Sequence, residues 1–107
     1  MAVGPVEALG GRTEEAETVR EALVTELAKL EGVHVVSPTT VKRYERARVP
    51  VSWMARLLGL AVVVEGSMAV DGTARLRLVD VHTGRVIAAG EGVGELVAAA
   101  RKSLKVQ

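Results

Sequence analysis

The residue types closest to catalytic chemistry stand near the end of the chain, in the stretch DVHTGR at residues 80–85. Asp80, His82 and Thr83 supply the acid, imidazole and hydroxyl of a nucleophilic site, which must hydrogen-bond to one another to react. Such sites are identified by geometry, and closeness in sequence is weak support for one. A turn explains the same residues, because Asp80 can accept backbone N–H groups ahead of it and Gly84 can supply a positive φ. We therefore predict a turn here.

The chain's two histidines are the other candidates for site chemistry. His34 and His82 could meet in space to hold a metal or a small ligand, but no His pair at i,i+4 and no His-x-x-Glu spacing supports a metal site. The glycine-rich run at 90–94 could offer N–H groups to an anion, yet Glu91 and Glu95 would repel one. We predict no catalytic residue, metal or cofactor, and a small ligand-binding domain stays an alternative.

A basic segment followed by a tryptophan is the main candidate for an interaction surface. Its residues are Lys42, Arg43, Tyr44, Arg46 and Arg48, with Trp53 shortly after. A basic loop over residues 42–48 could contact nucleic-acid phosphates. The formal net charge of only +1 and the near absence of other aromatic residues favour a protein partner instead. An exposed Trp53 would be the best interface anchor in the chain.

Composition limits the class of protein. A chain of 107 residues that is 49% hydrophobic predicts one domain, 1–107, with a real core. The absence of cysteine excludes disulfides and thiolate chemistry. Asparagine is absent and glutamine occurs once, which is typical of thermophile proteins.

No apolar run is long enough to span a membrane. Without a signal peptide the expected location is cytoplasmic, or periplasmic or envelope-associated if the chain is an excised mature domain.

Periodicity predicts the elements that must position these residues. Apolar residues at helical spacing predict a helix over 13–31, and alternating or apolar runs bounded by turns predict strands. The predicted strands are 2–8, 33–37, 60–70, 74–81 and 85–92. Asp71-Gly72 predicts a hairpin turn, and Thr83-Gly84 predicts a second turn. The resulting order, β-α-β-α-β-β-β-α, is an α+β or α/β fold with one mixed sheet of about five strands and a C-terminal antiparallel meander.

One long run resembles a known group of bacterial envelope proteins. The run is LLGLAVVVEGSMAVDGTARLRLVDVHTGRVIAAGEG, and the likeness extends over roughly residues 21–92. The matching positions are Leu58-Gly59, Gly66-Ser67, Asp71-Gly72, Leu78-Val79-Asp80 and Thr83-Gly84. These positions resemble the TolB N-terminal domain, the curli secretion protein CsgG and the penicillin-binding-protein activator LpoB. The resemblance implies a non-catalytic module that binds proteins or assembles with copies of itself as a homo-oligomer.

Overall fold

The computed structural model describes residues 1–105, which form a four-stranded sheet flanked by helices. The strands are β1 (Ala2–Ala8), β2 (Val62–Met68), β3 (Ala74–Asp80) and β4 (Val86–Glu91). The helices are α1 (Thr13–Ala28), α2 (Pro38–Arg46), α3 (Val51–Leu57) and α4 (Gly92–Lys105), with a 3-10 turn at Leu9–Gly11. Over these 105 residues, none of the helices has both the length and the apolarity needed to cross a bilayer.

The sheet is mixed, and its order along the sheet is β1-β2-β3-β4. β1 pairs parallel with β2, whereas β2, β3 and β4 form consecutive antiparallel pairs. Strand β3 shows why the pattern was readable, because Leu76 and Leu78 are buried while Arg75 and Arg77 on the other face are exposed. The mixed sheet, the packed helices and the C-terminal meander are confirmed.

Helices cover the sheet on both faces, so the protein has two apolar cores. The larger core joins α1 and α4 to the sheet through residues that include Leu23, Leu27, Leu76, Leu78 and Leu96. The second core joins α2 and α3 to the opposite face through Ala2, Val41, Met54, Ala55, Val63 and Val81. Successive residues of a strand point to opposite faces, so neighbours Val63 and Val64 enter different cores. This explains why β2 is apolar at consecutive positions.

The strand predicted at 33–37 is not formed, so the described sheet has four strands rather than about five. The segment makes two backbone bonds to Met1: the Val36 N–H donates to the Met1 carbonyl at 2.9 Å, and the Met1 nitrogen donates to the His34 carbonyl at 2.7 Å. Its valines serve another purpose, because Val35 packs against the larger core and Val36 against the second. The segment is apolar on two sides because it carries the chain from one core to the other.

The basic segment is helical over most of its length, which corrects the predicted loop at 42–48. Pro38 opens α2, a position that suits the fixed φ of proline, and Ser37 precedes it without a side-chain capping hydrogen bond. The helix continues to Arg46, and Arg48 then adopts a φ of 60°, in the left-handed region. Arg43 and Arg46 therefore project from a helix, and Arg48 lies in the turn that follows it.

Candidate interaction surface

The DVHTGR residues form the connection between β3 and β4. The Asp80 carboxylate accepts the N–H groups of His82 at 2.8 Å and Thr83 at 3.0 Å. The Thr83 hydroxyl accepts the Arg85 N–H at 3.2 Å, and Gly84 has a φ of 72°. The side chain of His82 is exposed. The acid and the hydroxyl thus bond to the turn's own backbone.

Hydrogen bonding also favours the ionised form of the Asp80 carboxyl group. The Thr83 N–H, followed by that of His82, lowers the pKa of Asp80 below its ordinary value. A lowered folded-state pKa means that the ionised form stabilises the fold. This stabilisation is present above the ordinary pKa of about 3.9 and is lost as the pH falls through the lower folded-state pKa.

Two substitutions test which residues of this turn stabilise the fold. His82→Ala is expected to change the free energy of unfolding by less than about 0.5 kcal/mol, because the imidazole is exposed. Gly84→Val is expected to cost about 1–2 kcal/mol or more, because a β-branched residue disfavours positive φ. A Cβ at Gly84 would meet no atom within 4 Å, so the cost is conformational. Denaturant unfolding measures both, and a larger loss for His82→Ala would contradict the turn assignment.

The hairpin between β2 and β3 contains a three-residue loop rather than a two-residue turn. The Ala69 N–H donates to the Thr73 carbonyl at 2.8 Å, which leaves residues 70–72 as the loop. The Asp71 carboxylate accepts the Thr73 N–H at 2.9 Å, and Gly72 has a φ of 90°. Both residues act through the backbone of the turn.

The histidines do not line a common cavity. His34 is exposed and borders an open groove of about 720 Å³, together with Leu30, Glu31 and Arg101. His82 is not among the residues that line this groove. Within residues 1–105, no group of three or more His, Asp and Glu side chains is placed to hold a metal ion.

The exposed side chains of α2 and α3 form a surface on one side of the sheet. We define the α2–α3 surface by six residues: Arg43, Arg46, Arg48, Trp53, Arg56 and Leu57. All six are exposed. Helix α2 buries Val41 against the second core, so Arg43 and Arg46 project away from it.

Helix α3 contributes the apolar centre of this surface. It buries Met54 and Ala55, which places Trp53, Arg56 and Leu57 on the outer side. The side chains of Trp53 and Leu57 are 65% and 67% exposed, and they lie one helical turn apart. Large apolar side chains adjacent on a surface mark an interaction site more often than scattered ones do.

Two members of the predicted site make contacts within the fold. Lys42 forms an ion pair with Glu17 of α1 at 2.7 Å, and this contact lowers the pKa of Glu17. Tyr44 is half-buried against the second core. Arg43, Arg46, Arg48 and Trp53 are therefore exposed, Lys42 is held in an ion pair with its side chain 38% exposed, and Tyr44 packs against the second core. The sequence analysis did not identify Arg56 and Leu57, although their positions three and four residues after Trp53 place them beside it on a helix.

An ion pair between a buried arginine and a partly exposed glutamate links α2 to α1. Arg20 of α1 is 4% exposed, and its guanidinium bonds to both carboxylate oxygens of Glu45 on α2. It also donates to the Val3 carbonyl of β1 at 3.2 Å. The pair therefore ties α1, β1 and α2 together and sets where the arginines of α2 project.

Known proteins resemble this chain in structure but not detectably in sequence families. No protein-family model matches the chain, and no curated protein matches it. The C-terminal domain of LpoB from Escherichia coli superposes with a TM-score of 0.67 and 22% identity, over 85% of this chain and 78% of that one. Lipoprotein GNA1162 from Neisseria meningitidis gives 0.66 and 15%, over 97% and 94%.

A third similar structure was solved as an oligomer. The PelC dodecamer from Paraburkholderia phytofirmans gives a TM-score of 0.54 and 13% identity, over 95% of this chain and 84% of that one. At such identities the likeness establishes a shared fold. The predicted resemblance to LpoB is confirmed at that level, and the resemblance to TolB and CsgG stays a prediction.

Proposed function

We propose that the protein is a non-catalytic protein-interaction or assembly module whose contact surface is the α2–α3 surface. The observation that carries this proposal is the exposure of Trp53 and Leu57, at 65% and 67%, on a helix whose other side is firmly packed. The hydrogen bonds of Asp80 and Thr83 to the turn backbone support the non-catalytic part.

The energetics favour a role in binding. Covering the exposed part of an indole removes enough apolar surface to contribute roughly 2–4 kcal/mol. Tryptophan and arginine are the residue types most enriched among side chains that dominate interfaces. Because α3 is held by Met54 and Ala55, Trp53 is presented on an ordered helix, and little ordering entropy opposes binding.

We further propose an envelope-associated role of the kind implied by the resemblance to the TolB N-terminal domain, CsgG and LpoB. The support is the fold shared with LpoB and with a protein described as a lipoprotein. Under this proposal the α2–α3 surface contacts another envelope protein or a second copy of the chain.

Site-specific photocrosslinking tests the proposal. Benzoylphenylalanine placed at Arg56 lies beside Trp53 without replacing it, and the same residue at His82 is a matched control in an exposed turn. In cells of the source organism, irradiation is expected to give a protein adduct at position 56 and little at position 82. Adding Trp53→Ala should lower the yield at position 56, because the indole anchors the contact.

The outcomes separate the candidate functions. Equal yields at both positions, or no effect of Trp53→Ala, would overturn the proposal. A nuclease-sensitive adduct would overturn it in favour of the nucleic-acid alternative, which the exposed Arg43, Arg46 and Arg48 favour. An adduct with one protein, identified by mass spectrometry and lost in Trp53→Ala, supports the proposal.

A further inference from the structure

Helix α1 carries an acidic outer side. The helix holds five glutamates and one arginine, and that arginine, Arg20, is buried. Three of the glutamates are in ion pairs: Glu15 with Arg12, Glu17 with Lys42 and Glu26 with Lys29. The exposed Glu14 and Glu21 enter no ion pair with any side chain of residues 1–104.

The α2–α3 surface carries the opposite charge. The span from α2 to α3 holds five basic residues and one glutamate, Glu45, which is paired with Arg20. The exposed arginines are Arg43, Arg46, Arg48 and Arg56, and none of them enters an ion pair in the described part of the chain. The formal net charge of +1 therefore conceals two oppositely charged surfaces.

On the acidic side of α1, two carboxylates flank a short side chain. Ala16, Arg20, Leu23 and Leu27 form the buried side of α1, so helical spacing places Glu14, Thr18, Glu21 and Thr25 opposite them. All four of these are exposed. Glu14 and Glu21 are two turns apart, about 10 Å along the axis, with the short Thr18 side chain between them. The two carboxylates are therefore far enough apart for an apolar side chain to approach Thr18 between them.

We propose that a second copy of this chain occupies the α2–α3 surface, with its α1 outer side (Glu14, Thr18, Glu21 and Thr25) against Trp53 and the arginines. This inference rests on the proposed function and names the partner. Complementary charge gives the contact its specificity, and the apolar pair Trp53 and Leu57 contributes the desolvated centre. Exposed ion pairs contribute little each and are screened by salt, so the association is weak and salt-sensitive.

Sedimentation velocity on the intact chain at low and high salt tests the proposal. The wild type is expected to associate as its concentration rises, less so at high salt, with a blue shift in the emission of Trp53, the only tryptophan. Arg43→Glu with Arg46→Glu, or Glu14→Arg with Glu21→Arg, should each weaken association by about tenfold or more. Circular dichroism should show that both variants stay folded, since the four side chains are exposed.

The decisive sedimentation experiment mixes the two charge-reversed variants. Each keeps one native surface, so the mixture is expected to regain association that neither variant shows alone. A monomeric wild type at all concentrations, or an unchanged Glu14→Arg, Glu21→Arg variant, would overturn the second-copy proposal. If position 56 still crosslinks to a different protein in cells, the proposed function stands while this inference fails.

Discussion

Replacing Glu45 by glutamine is expected to lower the free energy of unfolding by about 2–4 kcal/mol. The change leaves the guanidinium of Arg20, a residue that is 4% exposed, without its counter-charge. The lower part of the range reflects the Glu45 side chain, which is 29% exposed and so partly hydrated. Because the pair joins α1 to α2 beside β1, the loss should also loosen the α2–α3 surface. Denaturant unfolding measures the loss.

A surface ion pair provides the matched control. Glu26→Gln breaks the pair with Lys29, which also joins a glutamate to a basic residue but has side chains 45% and 64% exposed. Its removal is expected to cost less than about 0.5 kcal/mol, because water solvates both partners. Equal losses for Glu45→Gln and Glu26→Gln would show that the Arg20 pair does not hold α2 in place.

Gly90→Ala is expected to cost about 2–3 kcal/mol through overpacking. A Cβ at this position of β4 would lie 2.6 Å from the Leu96 nitrogen and 2.8 Å from the Glu95 carbonyl carbon. These are backbone atoms of α4, so no rotamer change relieves the contact and the helix must move off the sheet. Thermal or denaturant unfolding measures the loss.

Gly94→Ala is the matched control for this glycine. Gly94 lies in α4 itself, and a Cβ there would meet no atom within 4 Å. The change is expected to stabilise the protein by up to about 0.5–1 kcal/mol, because alanine loses less backbone entropy in a helix. If Gly90→Ala were as well tolerated as Gly94→Ala, the result would contradict the close packing of α4 against β4.

Local patterns predicted most of the sheet. Strand β3 was readable because Leu76 and Leu78 alternate with Arg75 and Arg77, and its turns were readable because aspartate and glycine have specific backbone roles. The segment 33–37 has the same apolar character but crosses between two cores. Whether such a segment joins a sheet depends on which backbone lies beside it in the fold, and the local sequence does not contain that information.

The candidate site was predictable only in part, because residue type can be read from the sequence but tertiary packing cannot. Trp53 and the arginines were identified by residue type, but only tertiary packing separates Arg43, which is exposed, from Lys42, which pairs with Glu17. Arg20 was missed because it occupies a position on the buried side of α1 where an apolar residue is expected. Its partner Glu45 is 25 residues away, so the pairing is a consequence of the fold.

The most direct test of the α2–α3 surface is the crosslinking yield at position 56 relative to position 82, with and without Trp53→Ala. A contact surface centred on Trp53 predicts a single major protein adduct at position 56, a low yield at position 82, and loss of the adduct when the indole is removed. Equal yields at the two positions, or an adduct at position 56 that survives Trp53→Ala, would contradict it.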